Sequence, residues 1–340
     1  MIKPQKLCVG DTVATISPSW GCAGDPSFKW QYDLGVKRLQ EIGLNVISAP
    51  NSMKGTKYLA NNPKARAEDL MWAFENNNVK AVIANIGGND SVKLIPYLND
   101  NSIISNPKIL CGYSDVISLH LYCYKLGLST FYGDNLLTTI AEVGQWHPYS
   151  KYWFKKAFFD NSPIGTIEPS ADCTYEDIKY ADPNFIRKYI PNKGYYRVQG
   201  SGTVRGRLFG GNGNLMEYEK EHIFNLGKSD FKDSILFFEE IPEICNTQYI
   251  VEFLDWLGTN GYLQEINGII IGKMRSCESF KPFADEIRKI VTCKYNLPLL
   301  PIMGGLNFGH TSPMFVIPYG AEAELNVDNL EFSILENGVE

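Results

Sequence analysis

The chain has 340 residues, of which 44% are hydrophobic and 21% charged, a composition typical of a globular protein long enough for two domains. Its net charge is -6 at pH 7, and no cluster of Lys and Arg could bind a phosphate backbone, so we expect no nucleic-acid partner. No segment is apolar for long enough to span a membrane, and Met1 to Gly10 lacks the apolar core of a secretory signal. We therefore expect a cytoplasmic protein with no membrane partner.

The eight cysteines are scattered along the chain without a Cys-x-x-Cys pair. In a chain of this size without a secretory signal, such scatter is typical of reduced, partly buried thiols. There are only four histidines, and none is spaced with cysteines as in a zinc site, so we expect no metal.

The first half of the chain alternates short apolar runs with amphipathic segments. Strands are predicted at 12–16, 44–47, 81–84 and 108–111, and helices at 29–42, 65–74 and 115–126. Repeated strand–helix units of this kind imply a mostly parallel sheet with helices on both faces.

The composition changes from about Ser162 to Gly202, where Pro, Tyr, Asp and Lys are frequent and periodicity is weak. We interpret this segment as a connecting region that carries substrate-facing loops. A second block follows, with strands predicted at 234–238, 266–271 and 299–302, and helices at 250–257 and 283–290. The predicted organisation is an N-terminal α/β domain over 1–165, a connecting region over 166–202 and a C-terminal α/β domain over 203–340.

Ser114 lies in Cys111-Gly-Tyr-Ser-Asp-Val116, where a buried strand ends and a helix begins. This position projects a hydroxyl at the carboxyl edge of a parallel sheet, close to the free N–H groups of the helix start. The arrangement resembles a nucleophile elbow, although the motif is not Gly-x-Ser-x-Gly. Serine is also a favoured helix cap, so a purely capping role is the alternative.

A second glycine turn, Asn85-Ile-Gly-Gly-Asn-Asp-Ser91, follows another predicted strand. Small residues at the end of a strand let backbone N–H groups approach a ligand oxygen, which suits an oxyanion hole. Glycine pairs also occur in ordinary turns, so this motif alone is weak.

Two further motifs carry an acid and a base. Phe237-Phe-Glu-Glu240 places a carboxylate directly after an apolar strand, where it could orient a histidine, the alternative being a solvated loop. Asn307-Phe-Gly-His-Thr311 places His310 in a glycine-flanked loop shortly after the strand predicted at 299–302. The other histidines, His120, His147 and His222, are assigned structural roles.

These motifs, in this order, resemble the LD-carboxypeptidase family, which includes the microcin C self-immunity peptidases. The resemblance runs nearly end to end. It includes the opening segment from Lys3 to Ser19, and Ile86-Gly-Gly-Asn-Asp-Ser91 is similar to the microcin-immunity branch. The remaining matching segments are Gly112-Tyr-Ser-Asp115, Gly206-Arg-Leu-Phe-Gly-Gly-Asn212, Leu236-Phe-Phe-Glu-Glu240, Phe308-Gly-His-Thr311 and Pro318-Tyr-Gly320.

The resemblance implies a nucleophile at Ser114, a general base at His310 and an orienting carboxylate at Glu239, preferred over Glu240. It also implies an oxyanion hole formed by the backbone N–H groups of Gly88 and Asp115. The implied fold is α/β: a Rossmann-like N-terminal domain with a parallel sheet, and a mixed α/β C-terminal domain. A homodimer without metal or organic cofactor is expected from the same resemblance.

The implied activity is that of a serine carboxypeptidase acting on a small peptide-like substrate. The substrate is either a murein tetrapeptide, cleaved between an L-centre and D-Ala, or a peptidyl or aminoacyl nucleotide of the microcin C type. The segment from Tyr175 to Tyr196 has tyrosines but no tryptophan where the microcin-immunity branch often stacks a nucleobase. Asn89 and Asn212 are candidate substrate-binding residues. The alternative function is a non-catalytic protein that binds a small molecule or muropeptide.

Overall fold

The computed structural model describes residues 1–180, 182–219, 224, 226–241, 246–274 and 281–340. The strands in these ranges are β1 (Thr12–Ile16), β2 (Asn45–Ser48), β3 (Val79–Ala84), β4 (Ile109–Gly112), β5 (Phe131–Tyr132), β6 (Gly165–Thr166), β7 (Asp172–Cys173), β8 (Ile190–Pro191), β9 (Tyr196–Gln199), β10 (Thr203–Asn212), β11 (Ser234–Glu239), β12 (Ile266–Gly272), β13 (Ile302–Leu306), β14 (Ile317–Pro318), β15 (Glu322–Asn326) and β16 (Glu331–Ile334). The α-helices are α1 (Lys29–Glu41), α2 (Thr56–Ala60), α3 (Pro63–Glu75), α4 (Asp100–Ser105), α5 (Ile117–Lys125), α6 (Pro148–Phe159), α7 (Gly213–Glu219), α8 (Lys228–Phe231), α9 (Thr247–Thr259) and α10 (Lys281–Arg288).

The first sheet has six strands in the order β14-β5-β4-β3-β1-β2. Five of them are parallel, and only the edge strand β14 runs antiparallel, against β5. The central strands β3 and β4 are almost entirely buried, as expected for parallel strands covered by helices on both faces. This is the parallel sheet that the sequence predicts for the N-terminal half.

The second sheet has eight strands in the order β6-β16-β15-β10-β11-β12-β13-β9. Strands β10 to β13 are parallel, whereas β9, β15, β16 and β6 pair antiparallel on the two sides. Strands β7 and β8 form a separate antiparallel pair. The fold is therefore mixed α/β with two large sheets, which confirms the predicted fold class.

The chain crosses between the two sheets more than once. Strand β14, from late in the chain, completes the first sheet, while β6 and β9 form the two edges of the second. One hydrophobic cluster joins them, since Phe131 and Tyr132 of the first sheet share it with Phe237 of the second. The predicted domain limits at 165 and 203 stay a prediction, and β7, β8 and β9 lie in the predicted connecting region.

One predicted strand is displaced. The sequence predicts a strand at 299–302, but β13 begins only at Ile302 and continues to Leu306. Pro298 and Pro301 lack backbone N–H groups to donate to a ladder, and Leu299 is 76% exposed. The strand therefore starts after the second proline, despite the two glycines Gly304 and Gly305 within it. None of the helices in the described ranges is both long enough and apolar enough to cross a membrane.

Candidate active site

The carboxyl ends of the parallel strands of the two sheets meet, and this brings three distant side chains together. Ser114 follows β4, Glu239 ends β11, and His310 lies in the loop after β13. The Ser114 Oγ is 3.1 Å from His310 Nε2, and His310 Nδ1 is 2.6 Å from Glu239 Oε2. This order allows the hydroxyl to donate to Nε2 while Nδ1–H donates to the carboxylate, as in a Ser-His-acid triad.

Ser114 has a strained backbone and does not cap a helix. Its φ is +63°, in the left-handed region that non-glycine residues seldom adopt. Ser114–Val116 form a short 3₁₀ turn that leads into α5. Neither Tyr113, the residue before this turn, nor Val116, the residue before α5, makes a side-chain capping bond. The Ser114 hydroxyl instead faces His310. The geometry therefore agrees with a nucleophile elbow and not with the alternative capping role.

Glu239 is completely buried and heavily hydrogen bonded. Besides the His310 ring, its oxygens accept bonds from the His310 backbone N–H at 3.1 Å and from the Tyr132 hydroxyl at 2.5 Å. Burial raises the pKa of this carboxyl, but the His310 charge and the bonds from His310, Tyr132 and Asn212 outweigh it, so the pKa is lowered. Glu239 is thus held as a carboxylate directed at the imidazole.

The loop of His310 requires a glycine. Gly309 has a φ of +95°, and a Cβ on it would lie 2.6 Å from Glu239 Cγ. Only a residue without a side chain lets the loop pass this close to the carboxylate and present the following imidazole.

Glu240 and Asn212 are hydrogen bonded to each other beside Glu239. Glu240 accepts N–H bonds from Asn214 at 2.9 Å and Ile241 at 2.8 Å, and does not face His310. Burial, and next the Glu239 charge, raise the pKa of the Glu240 carboxyl. The buried amide of Asn212 donates to Glu240 at 3.0 Å and to Glu239 at 3.4 Å. This amide is directed at the two carboxylates, because β10 and β11 pair Asn212 with Glu239, and its predicted contact with substrate stays a prediction.

The turn that contains Gly87 and Gly88 lies directly against the nucleophile. A Cβ on Gly87 would lie 3.0 Å from Ser114 Cβ and 3.3 Å from the backbone nitrogen of Asp115. The Asp115 carboxylate accepts the N–H groups of Asp90 and Ser91 at 2.9 and 2.8 Å, so it ties this turn to the helix start. Burial raises the pKa of the Asp115 carboxyl, and these bonds oppose the rise.

A cavity of about 380 Å³ opens beside His310. It is lined by Tyr113, Thr138, Thr139, Glu176, Asp177, Ile178, Tyr180, Arg187, His310, Thr311 and Ser312. Arg187 donates from Nε to buried Glu142 at 2.8 Å and from Nη1 to the Glu176 carbonyl at 3.1 Å. Within the described ranges, neither predicted asparagine lines this cavity: Asn89 lines a separate one with Trp20 and Thr56.

Sequence reasoning missed Tyr132 and Arg187. Tyr132 lies in a strand of two residues that has no periodic signal, and Arg187 lies in the aperiodic region that we interpret as connecting. Only the general expectation of substrate-facing loops in that region pointed to Arg187.

In the described ranges, the other histidines and the cysteines form no metal-binding site. His120 Nε2–H donates to the Gly112 carbonyl and Nδ1 accepts from Thr130, both at 2.9 Å, while His147 Nε2 contacts Asp172 at 2.9 Å. His222 lies outside the described residues, as do Cys245 and Cys277. The other six cysteines are free thiols, and within the described ranges no group of three His, Cys, Asp or Glu side chains could hold a metal.

Comparison with known proteins identifies the family. The profile of the LD-carboxypeptidase N-terminal domain matches residues 13–133, and that of the LD-carboxypeptidase C-terminal domain matches residues 205–325. The chain therefore belongs to the LD-carboxypeptidase family, and it is a serine carboxypeptidase-like hydrolase.

The similar proteins fall into two groups by name. The chain is 29% identical over 341 residues to the microcin C7 self-immunity protein MccF of Escherichia coli, covering 97% of this chain and 94% of the relative. It is also 29% identical over 339 residues to the probable murein peptide carboxypeptidase of Bacillus subtilis, covering 99% and 95%. A crystal structure of an MccF-like protein from Streptococcus pneumoniae in complex with AMP superposes with a TM-score of 0.86 and 29% identity, covering 95% and 98%.

Proposed function

We propose that Ser114, His310 and Glu239 form a catalytic triad that hydrolyses an amide bond by acyl transfer. The observation that carries this proposal is the chain of two hydrogen bonds, 3.1 Å from Ser114 to His310 and 2.6 Å from His310 to Glu239. A hydroxyl, an imidazole and a buried carboxylate in this order supply a nucleophile, its base and the group that orients the base.

In the proposed reaction, Ser114 Oγ attacks the amide carbonyl as its proton passes to His310 Nε2. The tetrahedral oxyanion is held by the backbone N–H groups of Gly88 and Asp115. The C–N bond then breaks, and His310 gives the proton to the departing amine. Water, deprotonated by the same imidazole, attacks the acyl-enzyme, which releases the carboxylic acid and restores the Ser114 hydroxyl.

The preferred substrate is a peptidyl or aminoacyl nucleotide. The cavity beside His310 has the size usual for small-ligand sites, and Tyr113 and Tyr180 offer aromatic surfaces on which a base could stack. The named relatives MccF and the AMP-bound MccF-like protein support this choice. The murein tetrapeptide is the second candidate, supported by similarity of equal identity to a probable murein peptide carboxypeptidase.

The deciding experiment offers both substrates to the same enzyme. Purified protein is incubated separately with murein tetrapeptide and with an aspartyl-adenylate mimic that carries an amide at the scissile position, and the products are resolved by mass spectrometry. We expect release of the nucleotide amine from the mimic and no turnover by Ser114→Ala. Release of D-Ala alone would select the murein substrate, and turnover of neither would contradict the proposed function. The homodimer and the cytoplasmic location stay predictions.

A further inference from the structure

Arg66 of α3 is a charged side chain with no exposure to solvent, although it lies outside the triad. Its Nη1 and Nη2 donate to the two oxygens of Asp90 at 2.7 and 3.0 Å. Nη1 also donates to the carbonyls of Pro18 at 2.9 Å and Ser19 at 3.2 Å. Burying a charge is costly unless it is paired and hydrogen bonded. The contacts of the buried Arg66 guanidinium therefore fix the positions of the groups that they reach.

Asp90 ends the turn formed by residues 87–90, called here the oxyanion turn. The N–H of Asn89 donates to Ser19 Oγ at 3.0 Å, and the N–H groups of Asp90 and Ser91 donate to Asp115 Oδ2 at 2.9 and 2.8 Å. In the part of the chain that the structure describes, no group accepts the N–H of Gly88. The N–H groups of the three residues after Gly88 are thus occupied, and the Gly88 N–H is left for a ligand.

The oxyanion turn is packed tightly against the segment that Arg66 holds. Gly88 has a φ of +154°, and a Cβ on it would lie 2.1 Å from Ser19 Oγ and 2.9 Å from the Trp20 nitrogen. The guanidinium of Arg66 therefore joins two segments: it binds the Ser19 carbonyl next to the turn and the Asp90 carboxylate at the end of the turn. Asp115 joins that same end to the residues between Ser114 and α5.

We propose that Arg66 is a positioning residue, which sets the place of the Gly88 N–H relative to Ser114 through its ion pair with Asp90. This inference rests on the proposed acyl-transfer function. It assigns to Arg66 an indirect role in stabilising the oxyanion of that reaction. A shift of the turn by about 1 Å would misplace the oxyanion donor, and such misplacement costs on the order of 100-fold in rate. Substrate binding in the cavity beside His310 would be little affected, because Arg66 does not line it.

The test replaces the planar guanidinium while keeping its charge. Arg66→Lys cannot span Asp90 and two carbonyls at once, since an ammonium lacks the fork geometry. We expect kcat to fall by about 10- to 100-fold with KM within about 3-fold of wild type. Affinity for a boronic-acid analogue of the tetrahedral intermediate should weaken by about the same factor as kcat/KM.

The matched control is Arg38→Lys. Arg38 is also a buried helical arginine, and it donates to the Ile140 carbonyl at 2.6 Å, away from the oxyanion turn. We expect Arg38→Lys to keep kcat within about 3-fold of wild type even if it lowers the unfolding temperature. Equal effects of the two substitutions on kcat, or a change only in KM, would overturn the proposal.

A second pair keeps the test usable if Arg66→Lys does not fold. Ser19→Ala removes the acceptor of the Asn89 N–H, whereas Ser234→Ala removes a buried hydroxyl that donates to the Phe231 carbonyl at 2.6 Å, away from the oxyanion turn. We expect a lower kcat for Ser19→Ala alone, and equal kcat values for the pair would contradict the proposal. If wild type and Ser114→Ala hydrolyse the substrate at the same rate, the proposed function fails; if only the Arg66 and Ser19 effects are missing, this inference fails alone.

Discussion

The Tyr132 hydroxyl lies 3.1 Å from the backbone nitrogen of Ser114 and accepts its hydrogen bond. The same hydroxyl donates to Glu239 Oε1 at 2.5 Å. One side chain of the first sheet thus contacts both the proposed nucleophile and the carboxylate contributed by the second sheet. We infer that Tyr132 holds the strained backbone of Ser114 in register with the His310–Glu239 pair.

Tyr132→Phe removes this shared hydroxyl. We expect kcat/KM to fall by about 10-fold, because the Ser114 N–H and one Glu239 oxygen lose their partner in a buried site. The hydrogen bond from Tyr132 lowers the pKa of Glu239, so its loss makes the carboxylate more basic. A more basic carboxylate stabilises the protonated imidazole of His310. The acid limb of the pH profile of kcat/KM should therefore move to higher pH. Steady-state kinetics from about pH 5 to about pH 9 measure this shift.

Tyr319→Phe is the control for Tyr132→Phe. Tyr319 is equally buried, but its hydroxyl donates to the Gly210 carbonyl and not to the triad. We expect the acid limb to stay in place in this variant. The same shift in both variants would mean that loss of any buried hydroxyl perturbs the site, and Tyr132 would have no particular role.

Two substitutions at Ser114 separate its catalytic role from its effect on stability. Ser114→Ala and Ser114→Gly should both lose at least about 10⁴-fold in kcat, since the nucleophile is gone. Glycine adopts a φ of +63° without the penalty of a side chain, so Ser114→Gly should be more stable than Ser114→Ala by about 1 kcal/mol. Urea unfolding of both variants measures this difference, and a less stable glycine variant would contradict the strain that we describe.

The sequence predicted the elements that carry the site because their signals are local. The strand at 12–16 has the predicted bounds, and the strands before Ser114 and at Glu239 are each within a residue or two. Their apolar runs end in Gly, Ser or Glu at the carboxyl ends of parallel strands, where functional groups converge. The proposed roles of Ser114, Glu239 and His310 came from motif order, and the structure brings these three side chains together.

Other features of the site depend on contacts between distant segments. Tyr132 lies in a strand of two residues, and Arg66 lies in a helix whose sequence gives no sign that its guanidinium reaches Asp90. Asn212 carries a family motif, but only the pairing of β10 with β11 shows that its amide meets the carboxylates. Long-range contacts of this kind leave no periodicity in the chain.

Glu239→Gln tests which of the adjacent carboxylates orients His310. The amide keeps the shape of the side chain but removes the charge that stabilises the imidazolium, so we expect kcat/KM to fall by about 10³- to 10⁴-fold. Glu240→Gln should have a much smaller effect, because Glu240 accepts bonds from Asn214 and Ile241 and not from His310. Steady-state kinetics of both variants decide the assignment, and a reversed order of effects would assign the role to Glu240.

Buried His120 should make the fold sensitive to acid. Burial lowers the pKa of its imidazole from 6.5 to about 4, so the unfolded state binds a proton between these values that the folded state does not. Stability from this residue is complete above pH 6.5 and decreases by about 3 kcal/mol as the pH falls to 4. His120→Gln keeps a donor for the Gly112 carbonyl but cannot titrate, so its unfolding free energy should depend less on pH in this range. An unchanged pH dependence would contradict the neutral imidazole.

The most direct test of the triad is labelling with a fluorophosphonate probe, followed by peptide mass spectrometry. The geometry predicts one adduct, at Ser114, formed rapidly in the wild type and strongly slowed in His310→Ala, because that imidazole takes the hydroxyl proton. Labelling of another residue, or labelling of Ser114 at an unchanged rate without His310, would contradict the triad.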